Sequence, residues 1–227
     1  MKVLDKEALF DYINKVQKKI HLLQTQLIDI QKAIKGVVEL DDVLKGKAGS
    51  AIRSFYADVH EPILVLLKNF LATYYHMLNQ LKESLHSFEP ANYGFIRQSF
   101  LEQDIEQGLK RLEQITQGLT DEVNHEITKI QDIIQLSPLD DSYLLHRIQQ
   151  AKVKKNHVLE QLYVLDSSKV KMLEPMMEDL LTMKNYLSEM RKIFFVDSTL
   201  ITQYKHTSLK DSDIYQEVIE KNDIPLD

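Results

Sequence analysis

Two Glu-x-x-His steps, Glu83/His86 and Glu122/His125, are the pattern in this 227-residue chain best suited to chemistry. On facing helices of a bundle, two such steps joined by two further glutamates hold a pair of iron atoms. Their neighbours argue against that use. The apolar stripes around them run through Leu81 and Leu85 in one helix and through Leu119, Val123 and Ile127 in the other. Glu83 lies two residues from Leu81, and His125 lies two residues from both Val123 and Ile127, so both point away from the expected core. The steps read as surface polar residues, and no metal or other cofactor is expected. His60-Glu61 is followed by Pro62 with no second His four residues on, so it is not a zinc-protease motif. No Gly-x-Ser-x-Gly elbow, Walker loop or dinucleotide fingerprint occurs, and the chain has no Cys. No catalytic residue is assigned, and an enzyme is not the expectation.

Other candidates reduce to packing or solvation. Tyr74, Tyr75 and the methionines at 172, 176, 177, 183 and 190 fall at helical spacing and read as core or interface. Lys152, Lys154 and Lys155 form the densest basic patch, which a solvated helix face accounts for. With a net charge of −6, nucleic acid is not an expected partner.

The elements that carry these residues are helical throughout. Six Gly and five Pro are too few for a hairpin-rich β fold or a Gly-rich nucleotide site. Leu9, Ile13, Val16, Ile20, Leu23, Leu27, Ile30, Ile34 and Val37 are spaced alternately four and three residues apart, which predicts one long amphipathic helix. Asp5 is its expected N-cap. A polar break over 41–50, bracketed by Gly46 and Gly49, predicts a turn. A second helix then carries Ile52, Phe55, Val59, Leu66, Phe70, Tyr74, Met77, Leu81 and Leu85, with a kink or restart expected near His60–Pro62. So short a turn folds the two into an antiparallel hairpin. A loop over 87–97 precedes a third helix over 98–136, expected to bend at Gly108 or Gly118. Helices four and five are expected over 142–194, broken near Asp166-Ser167-Ser168, and from 197 on the chain reads as linker or tail. The expected fold class is all-α, an elongated bundle of long amphipathic helices. The segments are the hairpin at 1–90, further helices at 91–196 and a tail at 197–227.

The start, MKVLDKEALF, places Asp5 and Glu7 where a cleavable leader needs an apolar core. The most apolar run, Ile63 to Leu67, is far shorter than the ~20 residues that cross a bilayer. Synthesis in the cytoplasm, with no stable membrane insertion, is the expectation. Long helices joined by short turns leave apolar surface that invites other helices. Periodicity alone leaves open whether those belong to a partner protein or to a second copy, as in a homodimeric coiled-coil scaffold.

A more specific reading comes from the context of Leu44-Lys45-Gly46. This turn follows Asp41-Asp42 and precedes GSAIRSFYADVHEPILVLLKNFLATY. Together they resemble the LXG domain of Gram-positive polymorphic toxins, in which a Leu-x-Gly turn is followed by Ile-x-x-Phe-Tyr and then Pro-(Phe/Ile)-Leu. Here those positions are Leu44 and Gly46, then Ile52, Phe55 and Tyr56, then Pro62, Ile63 and Leu64. SLHSFEP, GFIRQSFLEQDIEQGL and LSPLDDSYLLHRIQQAK also look like Bacillus-type members, so the resemblance covers residues 1 to about 195.

The resemblance implies a non-catalytic targeting domain of a secreted antibacterial toxin, exported by type VII secretion without a cleavable signal peptide and used in interbacterial competition. It implies a hairpin like that of WXG-type proteins, with small helical WXG-like partner proteins and the secretion apparatus as binding partners. Leu44 and Gly46 would shape the turn. Leu23, Leu27, Ile30, Phe55 and Val59 would contact partners, with the hairpin's own seam as the alternative for these five. The toxin activity would lie in a downstream domain, toward which the tail leads. One Phe-x-x-x-Asp motif, Phe100/Asp104, resembles an export signal, but in the family that signal belongs to the partner.

Overall fold

A computed structural model describes residues 1–196, 200–205 and 207–223. The fold is all-α, with a two-stranded antiparallel ribbon as the β structure among the described residues. Strand β1 (Val3–Asp5) pairs with β2 (Phe95–Arg97). The helices are α1 (Lys6–Val38), α2 (Gly46–Phe55), α3 (Glu61–Phe88), α4 (Glu106–Lys129), α5 (Ser142–Arg191), α6 (Thr207–Lys210) and α7 (Asp213–Asn222). Three π-helical segments, Tyr56–His60, Phe100–Ile105 and Lys192–Val196, adjoin them.

Two compact units share the chain. One holds Met1–Leu9 and Leu85–Ser168, the other Phe10–Ser84 and Lys169–Asp227. This is not the chain-order division expected from sequence, because α1, α3 and α5 each contribute residues to both units.

In the first unit the β ribbon is closed by Lys6 N donating to the Gly94 carbonyl and Gln98 N donating to that of Lys2, both at 3.0 Å. Asp5 caps α1, accepting from Ala8 N at 3.0 Å, as its position predicts. Helices α4 and α5 run antiparallel, joined by ion pairs from Lys152 to Glu113 at 2.6 Å and from Lys155 to Glu106. Asn124 closes the connection by exchanging two hydrogen bonds with the Leu139 backbone.

In the second unit, α1 and the α2–α3 arm form the antiparallel hairpin that the short turn predicts. Lys82 reaches Asn14 at 2.9 Å, and Gln17 donates to Asn79 at 2.7 Å. Every seventh residue of α1 is buried: Ile13, Ile20, Leu27 and Ile34, facing an arm that buries Leu71 and Leu78. The core of this unit gathers Phe55, Val59, Leu66, Met183, Tyr186 and Ile193 with Tyr204, Leu209, Tyr215 and Val218.

Three expectations are corrected. Helix α5 is unbroken at Asp166-Ser167-Ser168, because the Ser167 and Ser168 hydroxyls donate to the Val164 and Leu165 carbonyls within the helix. It also keeps a seven-residue register through Ile148, Leu162, Met176 and Met183. The third predicted helix stops at Lys129 rather than 136. The described residues beyond 199 are not linker: Leu209 and Val218 are wholly buried. The tail's apolar residues are sparse along the chain, which hid them, but they dock on a core made elsewhere. Residues 197–199, within the predicted tail, lie outside the described residues.

The core role of the tail is measurable. Leu209→Ala should cost about 2–4 kcal/mol in urea unfolding, whereas Leu200→Ala, at an exposed site, should cost under ~0.5. Equal, small effects would show that residues 200–223 do not belong to the folded core.

Candidate functional site

The turn after α1 is built by backbone geometry. The Leu40 carbonyl accepts from Leu44 N at 2.8 Å and from Val43 N at 3.3 Å, ending the helix. Gly46 has φ +72, the left-handed region that a side chain resists. Gly49, buried in the first turn of α2, would place a Cβ 2.3 Å from both the carbonyl carbon and oxygen of Leu44. The turn therefore needs two glycines for two reasons, one for its torsion angle and one for close approach. Sequence reasoning named Gly46 and used Gly49 only as a bracket.

Downstream, Pro62 interrupts the arm as expected, and the structure shows how. Pro62 supplies no N–H to the carbonyls one turn before it, and Tyr56–His60 widens into a π turn. The Tyr186 hydroxyl, from α5, donates to the Val59 carbonyl oxygen at 2.8 Å. The C-terminal segment holds the same turn. Lys210 pairs with Asp58 at 2.8 Å, Asn222 donates to the Pro62 carbonyl at 2.9 Å, and Lys221 pairs with Asp179 at 2.7 Å. Phe55 fills the space above, edge-on to Tyr56, His60, Phe194 and Tyr204 at centroid distances of 4.8–5.8 Å.

Burial and ion pairing set the charge states at this turn. Burial pushes the Tyr186 and Tyr204 hydroxyls well above the ordinary phenol range, so both stay protonated near neutral pH. The hydrogen bond that Lys210 donates to the Asp58 carboxylate raises the lysine's pKa. Burial lowers His60, whose Nδ1 is enclosed with no hydrogen-bond partner among the described residues. A neutral imidazole fits that setting.

The five expected contact residues do not share a face. Leu27 is 3% exposed, on the buried line of α1, while Phe55 and Val59, 6% and 0% exposed, belong to the core shared with α5 and the C-terminal segment. Leu23 and Ile30 are each 49% exposed, accompanied on α1 by exposed Leu22 and Ile28. The four-three spacing describes one stripe, but burial divides it: Ile13, Ile20, Leu27 and Ile34 are buried, Leu9, Val16 and Val37 are half-buried, and Leu23 and Ile30 are exposed. Leu44, the other turn residue, is half-buried.

The Glu-x-x-His residues Glu83, His86, Glu122 and His125 are all exposed. Among the described residues no three His, Asp or Glu side chains converge as a metal site. The expected inward stripe of α4 is overturned: Leu119 and Val123 face solvent, while Thr120 is buried in their place.

A family model described as the LXG domain of the WXG superfamily matches residues 2–203. The chain belongs to the LXG domain family. Among curated proteins, this LXG domain is similar to Toxin YxiD of Bacillus subtilis (strain 168), 32% identical over 209 residues, 92% of this chain and 37% of the toxin. It is also similar to Toxin YwqJ of the same organism, 27% identical over 145 residues, 62% of this chain and 23% of that toxin. The chain thus spans well under half the length of these relatives. The LXG match ends at 203, whereas the buried core of the folded domain runs on to Val218.

Two outcomes follow for the LXG turn and the π segment. Gly46→Val and Gly49→Ala should each destabilise by about 1–3 kcal/mol, read as lowered urea midpoints; unchanged midpoints would contradict the turn geometry. Because His60 binds its proton less well folded than unfolded, stability should fall as pH drops below ~6.5. His60→Asn should flatten the thermal midpoint between pH 7.5 and 5.5, and an unaltered slope would place the proton uptake elsewhere.

Proposed function

We propose that this LXG domain is a non-catalytic targeting module of a secreted toxin. It binds small helical partner proteins of WXG type and carries a toxin, with them, to a type VII secretion apparatus. The observation that carries this reading is the divided stripe of α1. Ile13, Ile20, Leu27 and Ile34 are buried in the hairpin, while Leu23 and Ile30, in the same stripe, remain half-exposed. A helix that buries half of its heptad seam has the other half to offer a second helix.

Family and relatives support the toxin association, and the chemistry of the chain agrees with a binding role. The titratable side chains at the π turn are held in inactive states by burial and ion pairing. No described helix is long and apolar enough to cross a membrane. In this reading the domain is made in the cytoplasm and leaves without a cleavable leader, recognised through its composite helical surface. Any toxic activity would reside in another domain.

The test is co-expression of the chain with the small helical proteins encoded beside its gene, followed by affinity purification. A complex of fixed stoichiometry is expected, lost in a Leu23→Asp, Ile30→Asp double variant of unchanged helicity. Both positions are exposed, so the variant should keep the wild-type unfolding free energy within ~0.5 kcal/mol. No complex with the wild-type chain, or undiminished binding by the double variant, would overturn the reading or its assignment to α1.

A further inference from the structure

Helix α4 is folded with its more apolar side outward. Toward α5 it presents Leu109, Glu113, Thr116, Thr120, Asn124 and Ile127, with Glu113 paired to Lys152. About a quarter-turn round the helix, Leu112, Ile115, Leu119 and Val123 form a stripe at three- and four-residue spacing, each between 42% and 57% exposed. Helix formation is driven mainly by burying such a face. Here it is left to solvent, while a threonine is buried instead.

The charges flanking the stripe show what covers it. Arg111 borders its N-terminal end and Glu122 its C-terminal end. Both are exposed, and neither forms an ion pair among the described residues. The face is therefore basic at one end, acidic at the other and apolar between. Such a surface is complementary to itself when turned end for end.

We propose that this face of α4 is a homotypic interface, on which a second copy of the chain packs with its α4 antiparallel. A two-fold axis passing near Gln117 sets Ile115 level with Leu119 of the other copy. It brings Leu112 level with Val123, and Arg111 with Glu122, within about one residue's rise of 1.5 Å. Because the contact is isologous, each charge pair occurs twice and the assembly closes at two. A parallel pairing would instead oppose like charges at both ends. Four side chains per copy make a small contact, so the dimer is weak and concentration-dependent. This interface is independent of the α1 face assigned to partner proteins, and neither reading needs the other.

Sedimentation of the full chain, from micromolar to about 500 µM, should show reversible dimerisation that weakens with salt. Leu119→Lys should abolish it without changing far-UV helicity. Arg111→Glu and Glu122→Arg should each raise the dissociation constant at least about tenfold, since each sets like charges opposite one another twice. The two single variants mixed together should pair with one another, and the R111E/E122R double variant should again self-associate, because both restore opposite signs across the axis. A chain monomeric throughout that range overturns the proposal. So does a dimer indifferent to Leu119→Lys, which would place self-association on another face. Failure of the mixed variants to pair would overturn the antiparallel arrangement.

Discussion

Pro62 sets the constraint on which one unit of this molecule depends. A proline sixteen residues past the start of the second arm removes one donor from the ladder, and the carbonyls before it must find other partners. The chain answers by opening Tyr56–His60 into a π turn and directing the Tyr186 hydroxyl at the Val59 carbonyl. That choice commits α5 to lie against the turn, makes Phe55 and Val59 interior, and creates the recess where Tyr204, Leu209, Tyr215 and Val218 pack. The C-terminal segment repays the arrangement with its own contacts to Asp58 and to the Pro62 carbonyl. Leaving a buried carbonyl unpaired would cost about 1–3 kcal/mol, enough to make the satisfied arrangement decisive.

The same economy explains the surfaces. Helices α1 and α4 each bury one line of side chains and expose another that is apolar. On α1 the buried line is the apolar one at every seventh position, and the exposed residues are its heptad companions. On α4 the line turned toward α5 is mixed, with Leu109 and Ile127 at its ends and threonine, glutamate and asparagine between them. Neither pattern is what a self-contained bundle would choose, since exposed leucine and isoleucine gain nothing from water. In the functions proposed above, these faces serve as contacts.

The sequence displayed much of this and concealed the rest for physical reasons. The four-three spacing from Leu9 to Val37, with Asp5 ahead of it, marks α1 and its cap because an amphipathic helix writes its period directly. Gly46 was legible through the turn, and its positive φ is what that residue type permits. Leu27 and Leu23 are indistinguishable by spacing, and only the identity of the opposing arm decides which one is buried. Ser167 and Ser168 look like a break until their hydroxyls are seen to bond within the helix. Leu209, Tyr215 and Val218 are too scattered to show a period, and their burial depends on a recess formed around 130 or more residues earlier in the chain at Phe55–Pro62. Thr120 and Leu119 exchange their expected places because α5 pairs with α4 through charged and polar groups.

The central claim is that α1 keeps half its heptad seam for a partner helix while the π turn stays closed. Hydrogen–deuterium exchange of the full chain, alone and with the small helical proteins encoded beside its gene, tests this directly. The account predicts new protection along α1 centred on residues 22–30, with exchange at Tyr56–His60 unchanged. Protection absent from α1, or a π turn that exchanges faster when partners bind, would contradict it.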